Sequence, residues 1–474
     1  MADHQELVKA SACDIVDRLN AGEVTPLDLL DALEARIAKV DGAVNALPTL
    51  CFDRARDAAR ELMKRPLGQR GLLAGLPVPI KDLTAVAGVL TTQGSPIYKD
   101  TIPKASDVTV TTLEGNGAVI YAKSNTPEFG AGANTFNEVF GATLNPWDLS
   151  KSAAGSSGGA AAALASGTAW LAHGSDMGGS LRNPASFCGI VGLRPSIGRV
   201  AHTPAAALDR TLGVQGPMAR SIEDVALMLD AMSGESPIDP LSLLSPPTSF
   251  LSAARSGQTP LRIAYSSDLG ITPVDPEVIA ITRKAAMRFS EAGVTVEEAH
   301  PDLSEAHECF HVLRAFDFAL TKADLYRNKR DMLKPEVIWN IEEGLKLSVE
   351  HIAKAEAQRI AMANRTLAFF GDYDLLLCPA TIVPPFPIEQ RYLAECAGKK
   401  FDNYVEWLGI VYAITLTCCP ALSMPCGFTA SGLPVGLQVV AAPRAEGRLL
   451  AGAKVLEDIL GLRGTTPIDP RPAR

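Results

Sequence analysis

Residues 155–182 read GSSGGAAAALASGTAWLAHGSDMGGSLR, and no other part of the chain concentrates so many small residues. Two short loops rich in glycine and serine enclose an alanine-rich helix. Glycines interleaved with serines free backbone N–H groups and let a ligand approach closely. The flanking segments are apolar, unlike those of a flexible linker, and the loops match neither phosphate-binding pattern, GxxxxGK[ST] or GxGxxG. The stretch therefore indicates a functional loop that carries a serine.

The segments around this stretch alternate between strand-like and helix-like patterns. Residues 1–65 are expected to be helical, with Thr25 as an N-cap and Pro26 in the first turn of one helix. Ser221 and Asp224 are expected to form a capping box. Strands are expected at 76–80, 118–122, 261–265, 374–378 and 435–440, and helices at 107–115, 221–233, 275–292 and 445–458. This order predicts an α/β fold with a mixed, largely parallel central β-sheet covered by helices on both faces.

The chain is expected to form a single domain over residues 1–474. The Pro- and Ser-rich stretch 234–260 has strand candidates on both sides, which favours a surface connection over a linker between domains. Residues 1–65 are an N-terminal helical segment. The stretch 300–400 is more charged and more helical than its surroundings, and we expect it to be a helical insertion covering a site.

Composition excludes several classes of function. The chain has 44 basic and 53 acidic side chains and a net charge of −9, which argues against nucleic acid or an anionic membrane as a partner. Its nine cysteines form no CxxC pair, as in a protein with reduced thiols. The polar N-terminus does not resemble a signal peptide, and the apolar run 158–172 is too short to span a bilayer. We therefore expect a soluble, cytoplasmic protein.

A serine nucleophile needs a base, and the residues alone leave the base open. Residues 155–159 match GxSxG with Ser157 as the serine, but the preceding segment is polar, and His173 and His202 stand in no recognisable context. Lys81 follows the apolar run 76–80. A lysine at the end of a buried strand can lose its proton, because desolvation disfavours the charged form.

Seven segments between residues 75 and 440 together resemble the amidase signature family, in that family's order. They are PVPIKD (77–82), TPEF (126–129), NPW (145–147), GSSGG (155–159), DMGGSLR (176–182), CGIVGLRP (188–195) and GLPVGLQ (432–438). The resemblance implies the family's fold and its Ser–Ser–Lys triad. Ser180 corresponds to the nucleophile, Ser156 to the bridging serine whose preceding peptide bond is cis, and Lys81 to the base.

The resemblance also implies roles around the nucleophile. The backbone of Met177, Gly178, Gly179 and Ser180 corresponds to the oxyanion hole, and Ser157, Asp176 and Arg182 are expected to support the loop. Three residues, in two segments, depart from the family pattern. Ala153-Ala154-Gly155 replaces the usual Pro-Gly-Gly, and Met177 replaces a threonine whose main chain alone is needed for oxyanion binding.

The expected activity is hydrolysis of a C–N amide bond through an acyl-enzyme on Ser180, without a cofactor. The expected partner is a small-molecule amide, hydrophobic or aryl, and carbamates and esters are candidate side substrates because they present the same carbonyl geometry. The specificity-determining segments are expected at 125–140, 200–215 and 300–420. Seven of their aromatic residues are candidates for a hydrophobic or aryl pocket: Phe136, Phe140, Phe316, Phe318, Trp339, Trp407 and Tyr412. Homodimerisation is common among relatives and is expected on that ground alone.

Two alternatives remain open. The family includes the glutaminase component of a tRNA-dependent amidotransferase, which works only with partner chains and prefers glutamine. His307-Glu308-Cys309-Phe310-His311 also matches HExxH, a zinc-binding pattern on helices. The chain downstream offers only ordinary helical acids as a third ligand, so we expect no metal there.

Overall fold

The computed structural model describes residues 4–203 and 212–473. The N-terminal third contains helices α1 (His4–Lys9), α2 (Ala12–Ala21), α3 (Pro26–Val44), α4 (Phe52–Met63), α5 (Val108–Gly115) and α6 (Gly158–Ser166). The middle contains α7 (Arg182–Cys188), α8 (Ile222–Met232), α9 (Phe250–Ala254), α10 (Pro276–Met287) and α11 (Ala306–Lys329). The last part contains α12 (Pro335–Leu345), α13 (Val349–Phe369), α14 (Gly409–Leu416) and α15 (Glu446–Leu460).

Helix starts follow the capping residues, with one difference. Thr25 caps α3 in a full capping box with Asp28, and Pro26 occupies the first turn. At α8, Ser221 accepts the N–H of Asp224, but the Asp224 carboxylate accepts the N–H of Cys13 on α2. The expected box at Ser221 is therefore half formed, because a distant donor takes the carboxylate.

The strands of the described residues form one large sheet, a small sheet and three short hairpins. The small sheet contains β1 (Thr49–Leu50), β2 (Pro77–Lys81) and β3 (Val119–Ser124), in the order β1-β3-β2. The short pairs are β4 (Phe136–Asn137) with β5 (Gly141–Ala142), β6 (Leu144–Asn145) with β7 (Asp148–Ser152), and β14 (Glu395–Cys396) with β15 (Lys399–Lys400).

The large sheet has eight strands in the order β12-β11-β13-β17-β16-β9-β10-β8. They are β8 (Leu171–Asp176), β9 (Val191–Arg194), β10 (Val214–Ala219), β11 (Arg262–Tyr265), β12 (Thr295–Glu298), β13 (Leu375–Pro379), β16 (Ala421–Phe428) and β17 (Pro434–Val440).

The sheet is mixed, as expected, but most of its described strand pairs are antiparallel. Only β11 pairs in parallel with its neighbours, β12 and β13. The expectation of a largely parallel sheet assumed a helix crossover between consecutive strands. Short connections such as 429–433, between β16 and β17, instead return the chain in the opposite direction.

The two larger sheets meet at Lys81, predicted as the base, and at Asp176, predicted as a support of the nucleophile loop. Strand β8 lies at one edge of the large sheet and ends at Asp176. Strand β2 lies at one edge of the small sheet and ends at Lys81. It packs against β8. A continuous apolar core, from Leu7 to Leu456, surrounds this junction and holds it rigidly.

No helix among the described residues is long and apolar enough to cross a lipid bilayer. All nine cysteines are free thiols, and most of them are buried.

Candidate active site

Lys81 lies at the centre of a cluster of serine hydroxyls. Its side chain is fully buried, and its Nζ lies 2.7 Å from Ser156 Oγ, 2.9 Å from Ser157 Oγ and 3.0 Å from Ser175 Oγ. Burial lowers the pKa of Lys81 to about 7, although Asp176 opposes this shift. A neutral amine at this place can accept a proton from the Ser156 hydroxyl.

The local sequence explains why Lys81 is buried. Every residue of β2 is buried, and the strand runs parallel to β3, with Lys81 opposite Ser124. The apolar run 76–80 therefore places the lysine at its end in the interior, where its amine contacts three serine hydroxyls and the carbonyl oxygen of Ser175, at 3.4 Å.

Ser156 and Ser157 stand at the start of α6. The peptide bond between Gly155 and Ser156 is cis, as the family resemblance implies. The N–H of Ser157 donates to the carbonyl oxygen of Ser180 at 3.2 Å, which joins the two serine-bearing loops. Ser156 and Ser180 both line the same cavity. The structure thus brings Lys81, Ser156 and Ser180 to one place.

Ala154, one of the two alanines that depart from the family pattern before these serines, adopts an unusual backbone conformation. Ala154 has φ +56°, in the left-handed region that favours glycine. Its carbonyl oxygen accepts a hydrogen bond from Thr135 Oγ1 at 2.8 Å, and its N–H donates to Ser152 Oγ at 2.9 Å. These contacts hold an alanine in a conformation that a glycine would adopt without strain.

The nucleophile loop folds around the carboxylate of Asp176. Asp176 Oδ1 accepts the N–H of Gly179 at 3.0 Å, and Oδ2 accepts the N–H of Leu181 at 3.1 Å. The N–H of Gly179 is therefore engaged within the loop, and the oxyanion donors that remain from the prediction are the N–H groups of Met177, Gly178 and Ser180. Gly179 has φ +97°, and a Cβ there would lie 2.4 Å from Val411 Cγ2, so only glycine fits.

Asp176 is itself held by two buried arginines. Arg182 donates to both of its carboxylate oxygens, from Nη2 at 2.8 Å and Nε at 3.0 Å. Arg194 Nη1 donates to the Asp176 carbonyl oxygen at 2.6 Å. Burial raises the pKa of Asp176, but Arg182 and Arg194 outweigh it and hold the pKa well below its usual range. Asp176 thus joins the backbone of the loop to Arg182 and Arg194, and the sequence analysis gave no role to Arg194.

His173 lies behind Lys81 and is not placed as a base. Its Nδ1 accepts the backbone N–H of Lys81 at 3.3 Å, so Nε2 carries the proton and donates to Gln215 Oε1 at 2.5 Å. Burial lowers the pKa of His173 to about 4. Gln215 Nε2 in turn donates to Asp107 Oδ1 at 3.2 Å. This hydrogen-bonded chain fixes the backbone that carries the lysine.

A cavity of about 390 Å³ opens above the serines. Its floor contains Ser156, Ser175, Met177 and Ser180. Part of the wall comes from the three segments expected to set specificity, through Phe129, Gly130, His202, Thr203, Gly213, Val214, Gln215, Arg314, Asp317, Phe318, Thr321 and Lys322. Leu83, Thr84, Gln93 and Asp107 line the cavity from outside these segments. The middle segment, 200–215, lies partly outside the described residues. Helix α11, in the stretch 300–400, forms one wall of the cavity.

The predicted aromatic residues lie mostly elsewhere. Of the seven, Phe318 alone lines the described part of the cavity, while Trp407 and Tyr412 are buried in the core and Phe316 is exposed. Phe129 also lines the cavity, although the sequence analysis placed it only within a motif. Aromatic content alone could not separate pocket from core.

Within the part of the chain that the structure describes, the HExxH pattern on α11 lacks the arrangement of a zinc site. His307 Nε2 donates to the Ile271 carbonyl oxygen at 2.9 Å, and its Nδ1 accepts from the Tyr412 hydroxyl. Both ring nitrogens are therefore engaged. Glu308 pairs with Lys354 at 2.6 Å. Among the described residues, no third potential ligand completes a cluster with His307 and His311.

Comparison with known proteins identifies the family of this arrangement. The Amidase family model matches residues 28–450. The chain is 35% identical to an acylamidase of Rhodococcus erythropolis, over 98% of both chains. It is 34% identical to one chain of the glutamyl-tRNA(Gln) amidotransferase of Moorella thermoacetica, over 95% of this chain and 97% of the relative.

Among solved structures, a bacterial aryl acylamidase of the amidase signature family superposes with a TM-score of 0.89 at 26% identity. The superposition covers 97% of this chain and 99% of that one. The chain therefore belongs to the amidase signature family, whose members are hydrolases acting on carbon–nitrogen bonds.

Proposed function

We propose that this protein hydrolyses the C–N bond of a small amide through an acyl-enzyme on Ser180. The observation that carries the proposal is a fully buried lysine amine 2.7 Å from Ser156 Oγ, beside a cavity that Ser156 and Ser180 both line. A desolvated lysine supplies the base that a serine nucleophile needs, so the proposed reaction requires no cofactor or metal.

The proposed reaction begins with proton transfer. Neutral Lys81 takes the proton of Ser156, and Ser156 takes the proton of Ser180 as Ser180 Oγ attacks the substrate carbonyl carbon. The carbonyl oxygen becomes negatively charged and accepts hydrogen bonds from the N–H groups of Met177, Gly178 and Ser180. One such donor typically stabilises the transition state by about 3–4 kcal/mol.

The second half releases both products. The proton returns from Lys81 through Ser156 to the departing amine nitrogen as the C–N bond breaks, which leaves the acyl group on Ser180. Water then attacks the acyl carbon and gives up a proton to the same relay. The carboxylic acid leaves, and Ser180 recovers its proton. Carbamates and small esters present a carbonyl of the same geometry, and we propose them as side substrates.

The walls of the cavity favour a substrate with an apolar or aryl part. Leu83, Phe129 and Phe318 supply apolar surface close to the serines. The similarity to the bacterial aryl acylamidase supports an aryl substrate. We further propose a single-domain, cytoplasmic enzyme that acts as a homodimer; the free thiols support the location.

The glutaminase component of a tRNA-dependent amidotransferase is the second candidate. The specific observation in its favour is the 34% identity to the Moorella thermoacetica chain, which barely differs from the 35% identity to the acylamidase. The two candidates differ in substrate and in autonomy. A glutaminase component prefers glutamine and copurifies with partner chains.

A hydrolysis screen by mass spectrometry tests the proposal. The panel contains primary aliphatic amides, anilides, carbamates, small esters and glutamine, incubated with the wild type and with Ser180→Ala. We expect the isolated wild type to hydrolyse anilides or aliphatic amides and Ser180→Ala to be inactive. Turnover of glutamine alone, and only with copurifying chains, would favour the glutaminase. Turnover that persists in Ser180→Ala would contradict the proposed nucleophile.

A further inference from the structure

Helix α11 contacts the nucleophile loop through two residues one helical turn apart. Phe310 packs against Gly178, where a Cβ would lie 3.1 Å from the ring, and it stacks on Tyr412 with ring centroids 4.2 Å apart. Arg314 Nη1 lies 3.3 Å from the sulfur of Met177. One face of α11 therefore sets a guanidinium beside the residue that supplies an oxyanion donor.

Neighbouring helices and loops fix the position of this guanidinium. Arg314 Nε donates to Asn340 Oδ1 at 3.2 Å, and Nη2 donates to the Tyr404 hydroxyl at 3.1 Å. Its plane also lies over the Phe318 ring, 4.8 Å from the centroid. Contacts from α11, α12 and the segment before α14 thus preorganise the group, which removes most of the entropy cost of using it to bind a ligand.

The partners of Arg314 are all uncharged. They are an amide oxygen, a phenol and a thioether, and no carboxylate among the described residues accepts a hydrogen bond from this guanidinium. Arg314 is nevertheless 9% exposed and lines the cavity. Buried charges in proteins are normally paired, because removal from water is costly. Two other arginines close to this loop, Arg182 and Arg194, follow that rule through Asp176.

We propose that Arg314 binds a carboxylate of the substrate, so that the preferred amides carry an acidic group on the part that faces α11. This inference rests on the proposed function and adds a substrate class to it. Three of the five guanidinium N–H donors are engaged, and the other two, on Nη1 and Nη2, remain for an anion. Paired N–H groups on a rigid plane match the two oxygens of a carboxylate.

The test compares substrates that differ only in this charge. One series contains the mono-4-nitroanilides of succinic, glutaric and adipic acid. Each has a neutral isostere in which a methyl ketone replaces the carboxylate. We expect the wild type to prefer the acidic member of the best-fitting pair by at least about tenfold in kcat/KM, mainly through a lower KM.

Variants of Arg314 distinguish recognition of the substrate carboxylate from structural support of the nucleophile loop. Arg314→Met, of similar length but neutral, should abolish the preference and leave turnover of the ketone within a few-fold of the wild type. Arg314→Lys should restore part of it. Lys322→Met removes another cation that lines the cavity and should retain the preference, which controls for general attraction of anions.

Three results would overturn the inference: equal rates for the two series in the wild type, an equal loss on both series in Arg314→Met, or loss of the preference in Lys322→Met. Turnover of the neutral anilides that disappears in Ser180→Ala would leave the proposed function standing in those cases. Calorimetric titration of Ser180→Ala makes the same comparison without turnover. Tighter binding of the acidic series there supports the inference even if the anilides are not hydrolysed, and equal binding refutes it.

Discussion

The sharpest consequence of the buried lysine concerns the dependence of the rate on pH. Burial lowers the pKa of Lys81 to about 7, and only the neutral amine can take the proton of Ser156. Acid therefore removes the base. With one essential group, kcat/KM should fall tenfold per pH unit below this pKa, to about one tenth of its plateau at pH 6 and about one hundredth at pH 5.

The assay is kcat/KM from pH 4 to 9 at constant ionic strength, with the best substrate from the hydrolysis screen. This ratio reports groups of the free enzyme, the state that the structure describes. Melting temperatures at each pH show whether the fold survives. Lys81→Met, a similar side chain without the amine, should be slower by about 10²–10⁴-fold and should lose the inflection near pH 7.

Two outcomes would refute this reasoning. A rate that stays level down to pH 5 would exclude a base with the pKa of Lys81. A single inflection near pH 4 would instead match His173, whose pKa burial lowers to about 4. The profile thus separates the two buried candidates, since their titrations lie about three pH units apart.

Three further predictions concern the support of the site. Ala154→Gly should raise the free energy of unfolding by up to about 1 kcal/mol, because glycine adopts the positive φ without strain. Ala153→Gly, at the neighbouring position, should lower the free energy of unfolding. Urea titrations measure both changes, and equal shifts would contradict the strain assigned to Ala154. Asp176→Asn should lower the melting temperature and abolish turnover, since a buried arginine pair loses its anion at a cost of about 3–5 kcal/mol; an unchanged melting curve would argue against the brace. Incubation of the wild type with a metal chelator should leave the rate unchanged, because both nitrogens of His307 are hydrogen-bonded; a loss that added zinc restores would revive the metal site.

The elements with strong local signals could be predicted from the sequence. Thr25 and Pro26 start a helix where expected, and the run before Lys81 is a buried strand. The cis bond before Ser156 also follows the family resemblance. Each of these features depends on a few adjacent residues, or on a motif that appears unchanged in this chain.

Features that depend on distant partners could not be predicted. Ser175 and His173 contact Lys81 from more than 90 residues away, and no spacing along the chain announces either contact. The sequence predicts the Asp224 carboxylate as half of a capping box, but in the structure it accepts a hydrogen bond from a backbone N–H on α2. The strand order of the large sheet could not be predicted for the same reason, because packing across the whole core decides which strands pair.

The residues that line the cavity could not be predicted from the sequence either. Phe318 and Trp407 are both aromatic residues of the segment 300–420, yet Phe318 lines the cavity and Trp407 is buried in the core. Arg314 carries no motif, and its significance comes from what surrounds it: an amide, a phenol and a thioether where a carboxylate is normally found. Only the structure shows that combination.

Trapping of the acyl-enzyme tests the central claim most directly. The wild type is mixed with a 4-nitrophenyl ester of a small aryl acid and quenched in acid within milliseconds to seconds. Peptide mass spectrometry then locates the acyl group. We predict one acyl group per chain, on Ser180, that decays on further incubation and is absent from Ser180→Ala. A transient acyl group on Ser156 or Ser157, or turnover of the ester by Ser180→Ala at the wild-type rate, would contradict the account.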